Sequence, residues 1–453
     1  MIELVNLSAG REIGSNCYLI TFGQTRALLD AGTHPKKEGA ETLPRFNCLG
    51  YGDLDAIFLT HAHLDHSGAI PVAMREHPNA NVFMSEATRH LADAMLHNSV
   101  NVMTSKRDEL EIHEYPLYTH RELDKVTSRW ETSQSGRPFY FSDTDDVTCE
   151  FYDAGHILGA VSPLFEFEGR RILYTGDIHF EDQTLTRGAK LPEGPLDTVI
   201  VETTRGAVER REDYTRESEI ERFSNSLNAI LERGGSALVP VFAMGKTQEL
   251  LITLHRLKEQ GKLRSAAVHI GGLSTKMTQL YDRLASRTRR HFQDLKILKD
   301  IELTVASSKK RTRQIEYQPG CIYALSSGMM MEHTPSNKVA RMMVENPKCG
   351  ILFVGYADPK SPAGQILATA PGEKIQLNKN APEQPLNCSV ERFDFSGHAT
   401  RESICDYLVG VQPKNVVLVH GDDDALAWFE AELKVRLPDS RIIIPVPEQP
   451  IEL

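Results

Sequence analysis

Short apolar runs punctuate the first two hundred residues, at 16–20, 27–29, 56–59, 82–84 and 171–174. Runs of this length, bounded by polar residues and glycine, predict strands buried in a sheet with covered faces. Residues 86–96 (EATRHLADAML) instead place their apolar positions at helical spacing. From about residue 209 the rhythm changes. An amphipathic helix is predicted over 219–233, closed by Gly234-Gly235. A strand at 237–240, a helix at about 247–258, a strand at 267–270 and a further helix follow. This alternation predicts βαβ units and a parallel sheet, continued by the runs 322–325 and 351–354. After about residue 375 short strands return, with a run at 415–419, a helix near 425–435 and a last strand at 442–445.

The chain has 453 residues, which suggests two or three domains. No apolar run approaches the roughly 20 residues of a membrane span. The N-terminus, MIELVNLSAGREIG, has no basic start followed by an apolar stretch, so it is expected to be a first strand and not a signal peptide. The seven cysteines, Cys17, Cys48, Cys149, Cys321, Cys349, Cys388 and Cys405, are scattered and form no C-x-x-C pair. That argues against a disulfide framework or a cysteine zinc knuckle and fits a reducing cytoplasm.

Charge is unevenly shared. The net charge is −11, which by itself speaks against a nucleic-acid partner. Between Arg205 and Ile375, however, 27 Lys+Arg stand against 18 Asp+Glu, a balance of +9. Of the totals of 51 and 62, the rest of the chain keeps 24 against 44, a balance of −20. A basic segment inside an acidic chain points to polyanion contact.

Four possible metal ligands, His61, His63, Asp65 and His66, fall within six residues directly after an apolar strand. They cannot share a helix face, because His61 and His63 would point to different sides. On a tight loop they can converge, and imidazole nitrogen with carboxylate oxygen suits zinc. One loop cannot fill two coordination shells. His156 (DAGH), Asp177 (YTGD) and His420 (LVHG) are the candidates for the rest, each after an apolar run or beside glycine.

Taken together these motifs resemble the metallo-β-lactamase superfamily. The resemblance implies that His61, His63 and His156 hold one zinc, that Asp65, His66 and His420 hold another, and that Asp177 spans both. Asp30, in LLDAG, matches a carboxylate that supports the metal loop. A water between two such cations has its pKa lowered toward ~7 and becomes a hydroxide nucleophile. Asp65 is a candidate to take its proton.

The leaving oxygen then needs an acid. Glu202 (VETTRG) and His398 (FSGHA) flank the basic segment, and a histidine held by a carboxylate can donate a proton near neutral pH. This arrangement is similar to the β-CASP nucleases, in which a cap domain is inserted before the last histidine motif. The implied fold is α/β: an αββα metallo-β-lactamase sandwich (1–204 and 376–453) with an inserted α/β, parallel-sheet β-CASP cap (205–375). Ser326, Ser327, the Gly328 backbone and Lys246 are expected to bind substrate phosphate. Lys309, Lys310, Arg311 and Arg313, with Arg287, Arg289 and Arg290, are candidates to track a nucleic-acid backbone.

Histidine at position 420 resembles the RNA-processing members, bacterial and archaeal ribonucleases and the eukaryotic pre-mRNA 3′-end endonuclease. The expected function is therefore a zinc-dependent phosphodiesterase, an endo- and/or exonuclease acting on single-stranded RNA with two Zn2+ per chain. The alternatives are a DNA nuclease of the same family, or a small-molecule thioesterase or lactonase that would need no insert of about 170 residues. RNA or single-stranded DNA is the expected partner, no membrane is expected, and a homo-oligomer is open.

Overall fold

The computed structural model describes residues 1–306 and 317–453. The chain forms two compact units. One comprises Met1–Asp182, Arg187–Arg210 and His398–Leu453; the other comprises Gln183–Thr186 and Arg211–Gly397.

The first unit is a sandwich of two seven-stranded sheets. One sheet runs in the order Pro450–Glu452, Ile2–Asn6, Tyr18–Phe22, Thr25–Leu29, Ala56–Phe58, Asn81–Met84, Trp130–Thr132. The other runs Arg441–Ile443, Asn415–Val419, Thr198–Glu202, Arg170–Tyr174, Val161–Phe167, Val147–Asp153, Phe139–Tyr140. Ile20, Phe22 and Phe58 from the first sheet share one core with Phe151, Phe165 and Val417 from the second. The Phe58 and Phe165 rings meet edge to face at 4.8 Å. Burial of each such side chain contributes about 1.5–3 kcal/mol. The helices Ile70–Glu76 and Glu86–Leu110 follow strands of the first sheet, and Arg401–Val411 and Asp423–Arg436 flank strands of the second.

This topology delivers the site. Thr25–Leu29 pairs in parallel with Ala56–Phe58. Arg170–Tyr174, Thr198–Glu202 and Asn415–Val419 are likewise parallel neighbours. Parallel neighbours end on the same edge. The residues at or just beyond those ends are Asp30, the segment 60–66, Asp177, Glu202 itself and His420. Of that segment only residues up to His63 form the expected loop, and Asp65 and His66 stand on the short helix Leu64–Ser67.

The second unit carries a six-stranded sheet in the order Thr304–Ala306, Val268–Gly271, Ile322–Leu325, Ala237–Pro240, Gly350–Phe353, Ser389–Arg392. Every pairing in it is parallel, as the strand–helix rhythm predicts. The helix predicted at 219–233 is Arg216–Glu232. It starts earlier because the Thr215 hydroxyl accepts a hydrogen bond from Ser218 N at 3.0 Å.

Several boundaries differ from the expectation. Residues 376–397 belong to the second unit, not to the sandwich. Ser389–Arg392 pairs in parallel with Gly350–Phe353 and so extends the inserted sheet, and the chain returns to the sandwich only at His398. The apolar run at 16–20 becomes the strand Tyr18–Phe22, which leaves Asn16 before it. The helix expected at 86–96 runs to Leu110, although its second half is mostly polar.

All seven cysteines are free, and among the described residues no helix is long and apolar enough to cross a membrane. Lys309, Lys310, Arg311 and Arg313 lie outside the described residues.

Candidate metal centre

The metal loop is fixed from below by Asp30. This carboxylate is fully buried and its residue adopts a left-handed backbone, φ 58°. Oδ1 accepts hydrogen bonds from Thr60 N at 2.8 Å, and Oδ2 from the Tyr174 hydroxyl at 2.8 Å. Oδ2 also lies 2.7 Å from His66 Nδ1. A carboxylate on one ring nitrogen fixes the tautomer and leaves the other nitrogen as the donor. His66 Nε2 is thereby aimed into the centre. Thr60 Oγ1 stands in the same relation to His61 Nδ1, at 3.0 Å.

Two glycines let the loops close. A Cβ at Gly32 would stand 1.7 Å from the Asp65 carbonyl oxygen. Gly176, with φ 54°, would put one 2.7 Å from Thr60 Cβ. Any larger residue at either place would push the ligand loop away.

Two groups of donors result. His61 Nε2 and His156 Nε2 lie 3.0 and 3.2 Å from His63 Nδ1. Asp177 Oδ2 is 3.5 Å from His61 Nε2 and 3.6 Å from His156 Nε2. On its other side, Asp177 Oδ1 is 3.3 Å from His66 Nε2 and 2.9 Å from His420 Nδ1. Asp65 Oδ2 completes the second group, 3.8 Å from His66 Nε2 and 3.5 Å from His420 Nε2. Asp177 therefore offers one oxygen to each group.

The arrangement fits a metal better than it fits an empty hydrogen-bonded pocket. Two imidazole nitrogens bound tetrahedrally to one zinc at its usual bond length stand about 3.3 Å apart. The donor atoms of His61, His63, His156 and Asp177 all lie within 4.8 Å of one another, as do those of Asp65, His66 and His420. Asp177 Oδ1 and His420 Nε2 are buried and make no well-aligned hydrogen bond, despite the nearby His420 Nδ1 and Asp65 Oδ2. Such orphaned groups are costly unless something else satisfies them.

Electrostatics separates the histidines. Burial, reinforced by neighbouring imidazoles, pushes the His61 pKa well below its ordinary value, so the ring is neutral and able to ligate. Burial also lowers His63, against the pull of Asp65 and Asp177. For His420 burial acts downward too, but Asp177 and Asp65 outweigh it and raise the pKa to about 10. His66 is raised for the same reason by Asp177, Asp30 and Asp65. Burial alone would raise Asp177; His420 and His66 more than compensate and hold it well below the carboxylate range. A cation entering here would replace protons as the partner of these carboxylates.

Beside the ligands sits a second pair. His398 Nδ1 lies 3.0 Å from Glu202 Oε2 and 3.2 Å from Oε1. Glu202 is buried and also accepts from Ile178 N at 2.7 Å, one residue past Asp177. His398 Nδ1 is 3.9 Å from Asp177 Oδ2, and its ring centroid is 4.7 Å from that of His156. Burial opposes protonation of His398, but Glu202 and Asp177 outweigh it and raise its pKa. The sequence thus brought together all the expected ligands, the supporting Asp30 and the Glu202–His398 pair.

Other expected residues are elsewhere. Lys246, Ser326, Ser327 and Gly328 belong to the second unit, just beyond carboxyl ends of its parallel strands. The Lys246 ammonium donates to the Phe395 carbonyl. Ser327 Oγ accepts from Met331 N at 3.3 Å. Arg290, read as a surface cation, is fully buried and hydrogen-bonded to backbone carbonyls.

Three contributors escaped the sequence reading. Asn16 places Nδ2 3.1 Å from His66 Nε2 and 3.2 Å from the Asp65 carbonyl. Thr204 Oγ1 lies 3.2 Å from His420 Nδ1. Tyr174 anchors Asp30 from the opposite sheet. Thr204 and Tyr174 lay within the quoted motifs VETTRG and YTGD, but none of the three residue types announces a metal centre.

Comparison with known proteins finds three domain models along the chain. The metallo-beta-lactamase superfamily model matches residues 10–217, the Beta-Casp domain model 247–366, and the Zn-dependent metallo-hydrolase RNA specificity domain model 383–445. Cleavage and polyadenylation specificity factor 73 of Drosophila melanogaster is 28% identical over 96% of this chain and 62% of its own length. Probable RNase MJ4 of Methanocaldococcus jannaschii is 28% identical over 93% of this chain and 94% of its own. Transcription termination factor FttA of the same organism is 28% identical over 98% and 70%. The chain spans 51–62% of the length of the fly, Dictyostelium discoideum and Yarrowia lipolytica relatives. A protein of unknown function from Enterococcus faecalis shares the fold, with a TM-score of 0.58 at 15% identity over the whole of both chains. With its ligand set, its inserted parallel sheet and three matching domain models, the chain belongs to the metallo-β-lactamase superfamily and, within it, to the β-CASP family.

Proposed function

We propose that this chain is a zinc-dependent ribonuclease that cleaves phosphodiester bonds in single-stranded RNA, with two zinc ions per chain. The observation that carries the reading is Asp177, whose two oxygens divide between two histidine groups beside the Glu202–His398 pair. A small-molecule hydrolase would leave that pair without a task.

Bound zinc would lower the pKa of an intervening water and withdraw charge from a phosphate oxygen. The protein's own groups do the rest. His61, His63 and His156 form one ligand set, and Asp65, His66 and His420 the other. Asp65, exposed over about a fifth of its side chain, faces incoming water and is placed to receive its proton. Glu202 fixes His398 with Nδ1 toward the carboxylate, so Nε2 is the nitrogen that hands a proton to the leaving oxygen. The raised His398 pKa keeps that proton available near neutral pH. Ser326, Ser327, Gly328 and Lys246 are proposed phosphate contacts. RNA is favoured over DNA by the description of the domain model matched at 383–445 and by the printed names of the relatives.

Parallel assays on labelled single-stranded RNA, single-stranded DNA and a thioester, each with and without chelator, test the reading. RNA cleavage that chelator abolishes and zinc restores is expected. Thioester hydrolysis with both nucleic acids intact would overturn it.

A further inference from the structure

One loop of the second unit holds an aromatic ring in water, and it does so against two energetic penalties. Phe292 has φ 55°, a left-handed backbone that a bulky residue seldom adopts. Next to it, Arg290 is fully buried. Its guanidinium donates to the carbonyls of Leu295 at 2.6 Å, Phe292 at 3.4 Å and Tyr281 at 3.5 Å. A charged group has thus been taken out of water to tie the loop's carbonyls together. The backbone is sewn down as well: His291 N donates to Leu185 O at 2.8 Å, and Arg290 bridges to Thr186. Leu295 N closes the turn onto Phe292 O at 3.1 Å.

So fixed a loop could easily have turned the ring inward, yet Phe292 remains 42% exposed. Burial therefore does not explain the strained backbone. The surroundings are cationic. The guanidinium carbon of Arg256 lies 5.6 Å from the ring centroid. Arg287 is exposed and Arg289 half-buried on the same loop, with Asp294 as the exposed acid among them. A rigid exposed ring among arginines is the arrangement that binds single-stranded nucleic acid. The ring stacks on any base, while the cations meet phosphates.

We propose that the loop 287–295 is a single-stranded RNA contact, in which Phe292 stacks on an unpaired base and Arg256, Arg287 and Arg289 meet the flanking phosphates. The proposal rests on the ribonuclease reading above and adds to it a contact that does not involve the metal ligands. It also reassigns Arg290 from a phosphate contact to the residue that shapes the loop.

The test uses the full chain and the variants Phe292→Gly and Phe292→Tyr. Glycine relieves the left-handed backbone while deleting the ring, so a folded loop is retained. Binding is measured to a fluorescent single-stranded RNA and to an abasic ribose-phosphate oligomer of equal length. Hydrolysis of bis(p-nitrophenyl) phosphate reports on the metal centre. Phe292→Gly should weaken RNA binding about tenfold. Phe292→Tyr should bind as the native chain does, the abasic oligomer should not distinguish the three proteins, and phosphodiester hydrolysis should be unchanged. If the native chain binds RNA and Phe292→Gly binds it equally well, the stacking contact is overturned and the ribonuclease reading stands. If the native chain neither binds RNA nor hydrolyses the phosphodiester, that reading fails and the contact fails with it.

Discussion

Glu202 Oε2 lies 3.0 Å from His398 Nδ1, although 195 residues separate them, among them the Arg211–Gly397 part of the second unit. The carboxylate is buried at the end of its strand and also holds Ile178 N, so the imidazole is presented in one orientation. Replacing His398 by alanine should lower kcat by about 10²–10⁴-fold, the usual worth of a positioned acid. Zinc content should stay at the native level. Metal analysis beside the rate measurement separates the roles, because parallel loss of zinc would make His398 a ligand. Glu202→Gln should retain the histidine but shift the basic limb of the pH–rate profile downward, since the carboxylate that raises the His398 pKa is gone.

Asp30 predicts a stability effect. It is fully buried and joins Thr60, His66 and Tyr174. Asp30→Ala strands those groups, each unsatisfied partner costing about 1–3 kcal/mol. A lower Tm of the metal-free protein, by several degrees, is expected in a thermal melt. An unchanged Tm would mean that the carboxylate supports only metal binding.

Glu219 predicts a pH dependence in the second unit. Burial alone would raise its pKa, but hydrogen bonds from Arg222 and from Asp394 N lower it below the ordinary carboxylate value. A depressed carboxylate stabilises fully above its unfolded pKa, and the contribution is lost as pH falls through the lower folded value. The Tm gap between the native chain and Glu219→Gln should therefore be widest near neutral pH and shrink on acidification below the ordinary value. A gap that does not change with pH would show that the ion pair contributes nothing.

The excess of cations between Arg205 and Ile375 predicts salt-sensitive RNA binding. Plotted as log affinity against log salt, the slope should be negative, and each phosphate contact removed should flatten it by roughly 0.7 for a single strand. A flat plot would leave the charge asymmetry without a role in binding.

The cluster was legible because imidazoles and carboxylates at this density are chemically distinctive. His61, His63, Asp65 and His66 crowd one six-residue stretch, and His156, Asp177 and His420 each follow an apolar run or a glycine. Asn16, Thr204 and Tyr174 were not legible, since a polar side chain beside a strand carries no mark of which ligand it will meet across the sandwich. Arg290 sits in a basic run and reads as a candidate backbone contact; only the packing of 281–295 makes it a buried tie. The 375/376 boundary misplaced Ser389–Arg392 for a related reason. That strand is only partly buried and shows no apolar run, so nothing in its pattern tied it to the parallel sheet.

Zinc stoichiometry is the most direct test of the central claim that Asp177 joins two ligand sets. The native chain, stripped with chelator, reconstituted with zinc and freed of excess, should hold about two ions, as a shared carboxylate between two sites requires. Asp177→Ala should lose zinc from both groups, since each has lost an oxygen. One ion per native chain, or an Asp177→Ala variant that keeps its full zinc content, would contradict the account.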